Sequence, residues 1–303
     1  MKILLFGKGG QVGWELQRSL SLMGELVSLD TDDQKLCGDF TRPEDIIQTI
    51  HSVSPDVIVN AAAYTAVDKA ESESALAHTI NAQAPRILAQ ESQKIGAWLV
   101  HYSTDYVFDG NGIKPWKETD PTTPINVYGS TKLEGEKAVI NSGCKHLIFR
   151  TSWVYSARGE NFIKTMIRLA QRRDHLSVVD DQIGAPTGAE LLADITAHSI
   201  CTALRQPQVS GLYHLAAKGE TSWYGYANFV LDKVRQHGIK LKVQTENIQP
   251  VTTNAFPQTA RRPGNSRLNT KKIEHTFDLS LPLWQTGVIR TLAELFEKNY
   301  DQT

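Results

Sequence analysis

Through the first 150 residues, short runs of unbroken apolar residues alternate with longer stretches of helical spacing, and this alternation restricts the fold more than any single motif. The runs are Ile3–Phe6, Leu26–Leu29, Val57–Asn60, Trp98–His101 and His146–Phe149. Continuous rather than alternating apolarity predicts strands covered on both faces, as in a parallel sheet. Between them, Gln11–Leu22, Pro43–Ser52, Val67–Ile95 and Ile125–Asn141 carry apolar residues three and four apart, the spacing of crossover helices. The expected fold is α/β, a doubly wound parallel sheet. After Arg150 the pattern loosens into helical stretches Phe162–Arg172, Ala189–Leu204, Tyr224–His237 and Trp284–Lys298 among short strand candidates. We therefore expect residues 1–150 to form one domain, able to recruit later segments, and 151–303 mainly a smaller lobe that completes a cleft.

Charge narrows the partners. The 303 residues hold 32 Lys and Arg against 33 Asp and Glu, with no basic block, which disfavours a nucleic-acid surface. No apolar stretch approaches the roughly 20 residues that span a bilayer. Cys37, Cys144 and Cys201 are too few and too scattered for a disulfide framework or a Cys-x-x-Cys site. A cytoplasmic protein without membrane partners is expected. The nine histidines form no His-x-x-x-His pair, which argues against catalytic zinc.

Gly7, Gly10 and Gly13 stand in a Gly-x-x-Gly-x-x-Gly register between the first strand and the first helix. There, glycines permit a tight turn and a close approach to a pyrophosphate, while free N–H groups at the helix start face the anion. Asp30 ends the second predicted strand, 17 residues beyond Gly13, where a carboxylate accepts hydrogen bonds from a ribose. Together these features predict a Rossmann-like NAD(P) site. Taken alone, Asp30 favours NADH by repelling a 2′-phosphate, unless Lys35 or Arg42 offsets it.

Tyr128 and Lys132 lie four apart on a predicted helix, hence one turn apart on one face. A nearby ammonium is expected to lower the phenol pKa and make Tyr128 a general acid. At the end of the fourth predicted strand, Ser103 or Thr104 is placed to donate to a developing oxyanion, beyond the carboxyl edge of the sheet.

These features, with Asn60–Thr65 (NAAAYT), Ser103–Gly110 (STDYVFDG), Tyr128–Glu136 (YGSTKLEGE), Arg150–Tyr155 (RTSWVY) and Arg262-Pro263-x-x-Ser266, resemble the extended short-chain dehydrogenase/reductase family, in its branch acting on dTDP-linked keto-sugars. The resemblance implies that Gly10, Gln11 and Val12 bind the cofactor pyrophosphate, Asp30 the ribose, and Asp39 and Phe40 the adenine edge. Ala62, Ala63, Tyr64 and Thr65 would lie along the cofactor. Tyr128 would protonate the sugar oxygen and Lys132 hold the nicotinamide ribose. Thr104 and Asp105 would contact the sugar, with Trp153 closing over it. Family members commonly use NADPH, some also NADH, so dual use is expected. Arg261 and Arg262 are candidates for the substrate diphosphate, or else a solvated pair.

Glu190 and Asp194, four apart on a predicted helix, suit a hard cation such as Mg²⁺ with Glu15 as a third acid, although a solvated helix face explains them more cheaply. The resemblance also implies a homodimer. Two other readings stay open: another nucleotide-sugar reductase or epimerase, and a non-catalytic NADP-binding regulatory subunit like that of methionine adenosyltransferase.

Overall fold

The computed structural model describes residues 1–256 and 258–297. Its centre is a six-stranded parallel sheet of β1 (Lys2–Phe6), β2 (Glu25–Leu29), β3 (Val57–Asn60), β4 (Trp98–Thr104), β5 (Lys145–Thr151) and β6 (Gly211–His214), in the order β6-β5-β4-β3-β1-β2. The order reverses between β1 and β3, and a crevice opens beyond the carboxyl ends of the strands there.

The unbroken apolar runs are explained by two cores. Ile3 and Leu5 face one, with Leu16 and Leu20 of α1 (Gln11–Leu20) and Leu192 and Ile200 of a long later helix. Leu4 and Phe6 face the other, with Ile46 and Ile50 of α2 (Pro43–Val53) and Leu88 of α3 (Ala84–Ile95). Successive strand residues point to opposite faces, so both must be apolar.

Later residues complete the central sheet and one of its cores. Gly211–His214 adds β6 beside β5, with Gly211 opposite Leu147 and His214 opposite Arg150. The later helix, Ala189–Arg205, packs against α1.

The expected continuous helix from Val67 to Ile95 is instead four pieces: Val67–Ala70, Ser74–His78, a π-turn over Thr79–Gln83, and α3. Pro85 accounts for the π-turn, since it has no N–H for the carbonyl of Asn81 and its ring would strike that carbonyl in a regular helix. The wider turn also frees the Asn81 side chain. Its Oδ1 accepts from Tyr64 N at 2.9 Å, and its Nδ2 donates to Tyr64 O at 3.0 Å and to Thr131 Oγ1 at 3.3 Å.

The remaining longer helices are α4 (Val127–Asn141), α5 (Phe162–Arg172), α6 (Ala189–Arg205), α7 (Trp223–Gln236) and α8 (Trp284–Glu297), and the short helix Lys271–Phe277 adds Ile273 and Phe277 to the core of Ile3 and Leu5. The end of the last predicted helix, Lys298, lies outside the described residues. No described helix is long and apolar enough to cross a membrane.

Candidate active site

Gly7 turns the chain out of β1 at φ +85°, and a Cβ there would lie 2.7 Å from the backbone nitrogen of Ala62. A Cβ on Gly13 would stand 1.9 Å from the carbonyl oxygen of Gly7, so only glycine lets α1 start this close to the strand. Gly10 is the N-cap and brings no side chain to the opening N–H groups of α1. Asp30 braces the loop, Oδ2 accepting from Gly9 N at 2.8 Å and Oδ1 from Thr31 N at 2.9 Å.

This loop forms one end of a cleft of about 660 Å³. Gly7, Gly10, Gln11, Val12, Asp30, Asp39, Phe40, Ala62, Ala63 and Thr65 line it, as do Thr104, Asp105, Tyr128, Lys132 and Trp153. Two predicted cofactor residues are not among its lining. Gly13 serves the packing just described. Tyr64 turns away, its hydroxyl donating to Glu73 Oε2 at 2.5 Å, and that bond to a carboxylate pushes the phenol up to about 12.

Asn126 caps α4, its Oδ1 accepting from Gly129 N at 2.7 Å, which sets Tyr128 and Lys132 in the first two turns. The Tyr128 ring meets Tyr106 edge-on at 5.5 Å. Lys132 is 2% exposed and donates to the Tyr102 carbonyl at 2.6 Å. Here the electrostatics depart from expectation. Burial pushes the Tyr128 phenol up to about 12, the Thr104 hydroxyl pulls it back, and the charge of Asp105 pushes it further; lowering by Lys132 plays no part. Burial in turn takes the Lys132 ammonium down to about 8, against a raising influence from Glu136.

Asp105 is 2% exposed, and its Oδ1 accepts from Thr104 Oγ1 at 3.2 Å while Oδ2 has no partner among the described residues. Burial raises its carboxyl to about 7, with the Ser266 and Thr104 hydroxyls pulling down. The folded state therefore binds a proton that the unfolded chain releases near pH 4, and stability falls as pH rises from about 4 to about 7. We expect Asp105→Asn to remove this loss, stabilising the protein by about 2–4 kcal/mol at pH 8 and hardly at all at pH 4. Thermal melts of the two proteins at both pH values test this, and equal melting differences at the two values would refute it.

Ser103 Oγ, Thr151 Oγ1 and Ser152 Oγ are likewise buried without partners along the cleft. Four unpaired polar atoms on one wall, facing a glycine turn and a bare helix start, fit a polar dinucleotide and a sugar. Trp153 holds a left-handed backbone, φ +50°, and stacks on Trp223 at 3.7 Å. Trp223, Tyr106 and Ser152 belong to the lining but were given no role from the sequence: Tyr106 and Ser152 lie inside the runs Ser103–Gly110 and Arg150–Tyr155, whereas Trp223 stands in no recognised motif.

The two arginines separate. Arg262 Nη2 donates to Asp68 Oδ2 at 2.6 Å and its Nη1 is buried without a partner, whereas Arg261 is exposed. Arg42 pairs with Asp45, while Lys8, not Lys35, is the cation on the glycine loop, 2.7 Å from Asp33 Oδ2.

An arginine lies among the acidic trio. Asp194 Oδ1 accepts from Arg18 Nη2 at 2.7 Å and from Ser19 Oγ at 2.5 Å, and Arg18 Nε also lies 3.6 Å from Glu15. Glu190 is pushed up chiefly by burial, with Glu15 and Asp194 adding to it. Arg18 thus offsets charge on two of the three acids, and no group of three or more candidate metal ligands is assembled among the described residues.

A glycine-loop cleft with a tyrosine and a lysine one helical turn apart on its wall is the arrangement of a dinucleotide-dependent oxidoreductase. The chain belongs to the RmlD substrate binding domain family, whose model matches residues 1–297. It is 58% identical to a dTDP-4-dehydrorhamnose reductase of Salmonella typhimurium over 98% of both chains. It is 46% identical to one of Burkholderia thailandensis, over 98% of this chain and all of that one. The structure is similar to that of a dTDP-4-dehydrorhamnose reductase from Bacillus anthracis in complex with NADP, with a TM-score of 0.85 at 35% identity over 97% of this chain and 99% of that one.

Proposed function

We propose that this chain reduces the C4 keto group of dTDP-4-dehydro-β-L-rhamnose with NAD(P)H to give dTDP-β-L-rhamnose, the last step in making that nucleotide sugar. One observation carries the reading beyond kinship: Tyr128, Lys132 and Thr104 line the same cleft as Gly7, Gly10, Gln11 and Val12.

The cofactor supplies a hydride to the carbonyl carbon. Tyr128 gives its phenol proton to the sugar oxygen as that oxygen gains charge. A phenol raised to about 12 still holds its proton at neutral pH and is far more acidic than the alcohol formed, so the raised value suits a donor. Thr104 donates to the same oxygen, and Lys132 holds the nicotinamide ribose. Gln11 and Val12 offer backbone N–H groups to the pyrophosphate, Asp30 accepts from the adenosine ribose, and Asp39 and Phe40 flank the adenine. Asp105 and Trp153 contact the sugar. Arg262, with one unpaired Nη1, is the better placed arginine for the diphosphate. Asp30 and the nearby Lys8 favour opposite cofactors, which supports use of both NADPH and NADH. A homodimer is part of this reading, and light scattering on the eluted protein measures it.

The test is oxidation of NADPH or NADH at 340 nm with the keto-sugar generated in situ. One cofactor oxidised per dTDP-rhamnose formed supports the proposal. An epimerase would consume none, and a regulatory subunit would bind NADPH without turnover; either result would overturn it.

A further inference from the structure

One helical turn beyond Lys132 lies a buried ion pair that the Tyr-x-x-x-Lys pattern does not contain. Glu136, one turn further along α4, is 1% exposed, and both its oxygens are held by Arg150 of β5, Nε to Oε1 at 2.9 Å and Nη2 to Oε2 at 2.6 Å. Arg150 is itself 4% exposed and its guanidinium lies 5.0 Å over the Phe108 ring. Neither residue lines the cleft. A well-packed apolar pair would join α4 to β5 at no desolvation cost, so a charge pair here calls for an electrostatic reason.

The surroundings of Lys132 supply that reason. From α4 it faces Tyr128 and Glu136. From β4 it faces the Tyr102 carbonyl, which accepts its proton bond, and His101, whose imidazole is pushed well below its ordinary pKa by burial and then by the Lys132 charge. From β5 comes Arg150, behind Glu136. Glu136 is the anion that acts on Lys132, and it opposes the effect of burial. Because Arg150 engages both carboxylate oxygens, Glu136 acts at a distance without drawing the Lys132 Nζ away from the Tyr102 carbonyl.

We propose that Glu136, clamped by Arg150, is a positioning residue that keeps Lys132 protonated and directed at the cleft over the working pH range. The inference rests on the role given above to Lys132. On this reading the alkaline limb of the wild-type rate profile follows loss of the Lys132 proton, whose ammonium burial lowers and Glu136 raises.

The experiment is the pH dependence of kcat and kcat/KM for the wild type, Glu136→Gln, Glu136→Asp and the double variant Glu136→Gln with Arg150→Met. Glu136→Gln should move the alkaline limb to lower pH by about one unit, with turnover recovering toward the wild-type value on the acid side. Glu136→Asp keeps the charge and should restore the limb. The double variant leaves no lone charge in the core and should move the limb the same way by less. It decides the question if Glu136→Gln does not fold. A folded variant slowed equally at every pH, with the limb unmoved, would mean that the pair only packs α4 against β5. Absence of sugar reduction by the wild type would instead overturn the function itself, so the two failures are distinct.

Discussion

Tyr128→Phe is expected to slow sugar reduction by about 10²–10⁴-fold while leaving NADPH affinity unchanged. The substitution deletes one hydroxyl from a buried ring whose edge contact with Tyr106 persists, so packing of α4 survives. The phosphate end of the cleft, lined by Gly7, Gly10, Gln11 and Val12, contains no atom of this residue's neighbourhood on α4. What disappears is the proton source for the forming alcohol. Steady-state turnover together with a fluorescence titration of NADPH separates the two effects. Near-normal kcat would remove Tyr128 from the acid role and leave Thr104 or Asp105 to supply the proton.

The second large effect is expected at the opposite end. Gly13→Ala places a methyl group 1.9 Å from the carbonyl oxygen of Gly7, 2.7 Å from its carbonyl carbon and 3.1 Å from Cα of Lys8. All three are backbone atoms, so no side chain can swing aside and the start of α1 must move. Such overpacking costs roughly 1–3 kcal/mol or more of stability. The same shift misplaces the N–H groups that face the pyrophosphate, and we expect NADPH to bind at least about tenfold more weakly. Calorimetric titration and a thermal melt measure both quantities. Wild-type affinity with wild-type stability would show that the loop tolerates displacement.

Sequence periodicity reads well where one physical cause dominates. Ile3–Phe6 and Val57–Asn60 are legible as strands because burial on both faces demands an unbroken apolar run, and Tyr128 and Lys132 are legible as neighbours because four residues make one helical turn. The π-turn inside the Val67–Ile95 stretch is less visible, since Pro85 is compatible with a helix start and only the packed Asn81 reveals the wider turn before it. β6 was hidden because Gly211–His214 is short and reaches its place only beside β5. Charge interactions were the least legible. The expected influence of Lys132 on Tyr128 ignored burial, which dominates both groups. Beside Glu15 and Asp194 stands Arg18, whose position 176 residues from Asp194 no local spacing discloses. Glu136 and Arg150 likewise meet only once the helix lies across the sheet.

The recruitment of β6 and α6 has a bearing on how the chain is made. A ribosome that has released β1 to β5 has released five strands of a sheet whose outer edge at β5 is still bare, and an α1 whose apolar face still lacks α6. Some sixty further residues, about 3–12 s of synthesis, pass before β6 emerges. During that interval β5 is an open template for another strand, and the face of α1 is an apolar patch. The first half of the chain is thus completed from the second, and the two cannot be inherited, expressed or exchanged as separate modules without each leaving the other's surface uncovered.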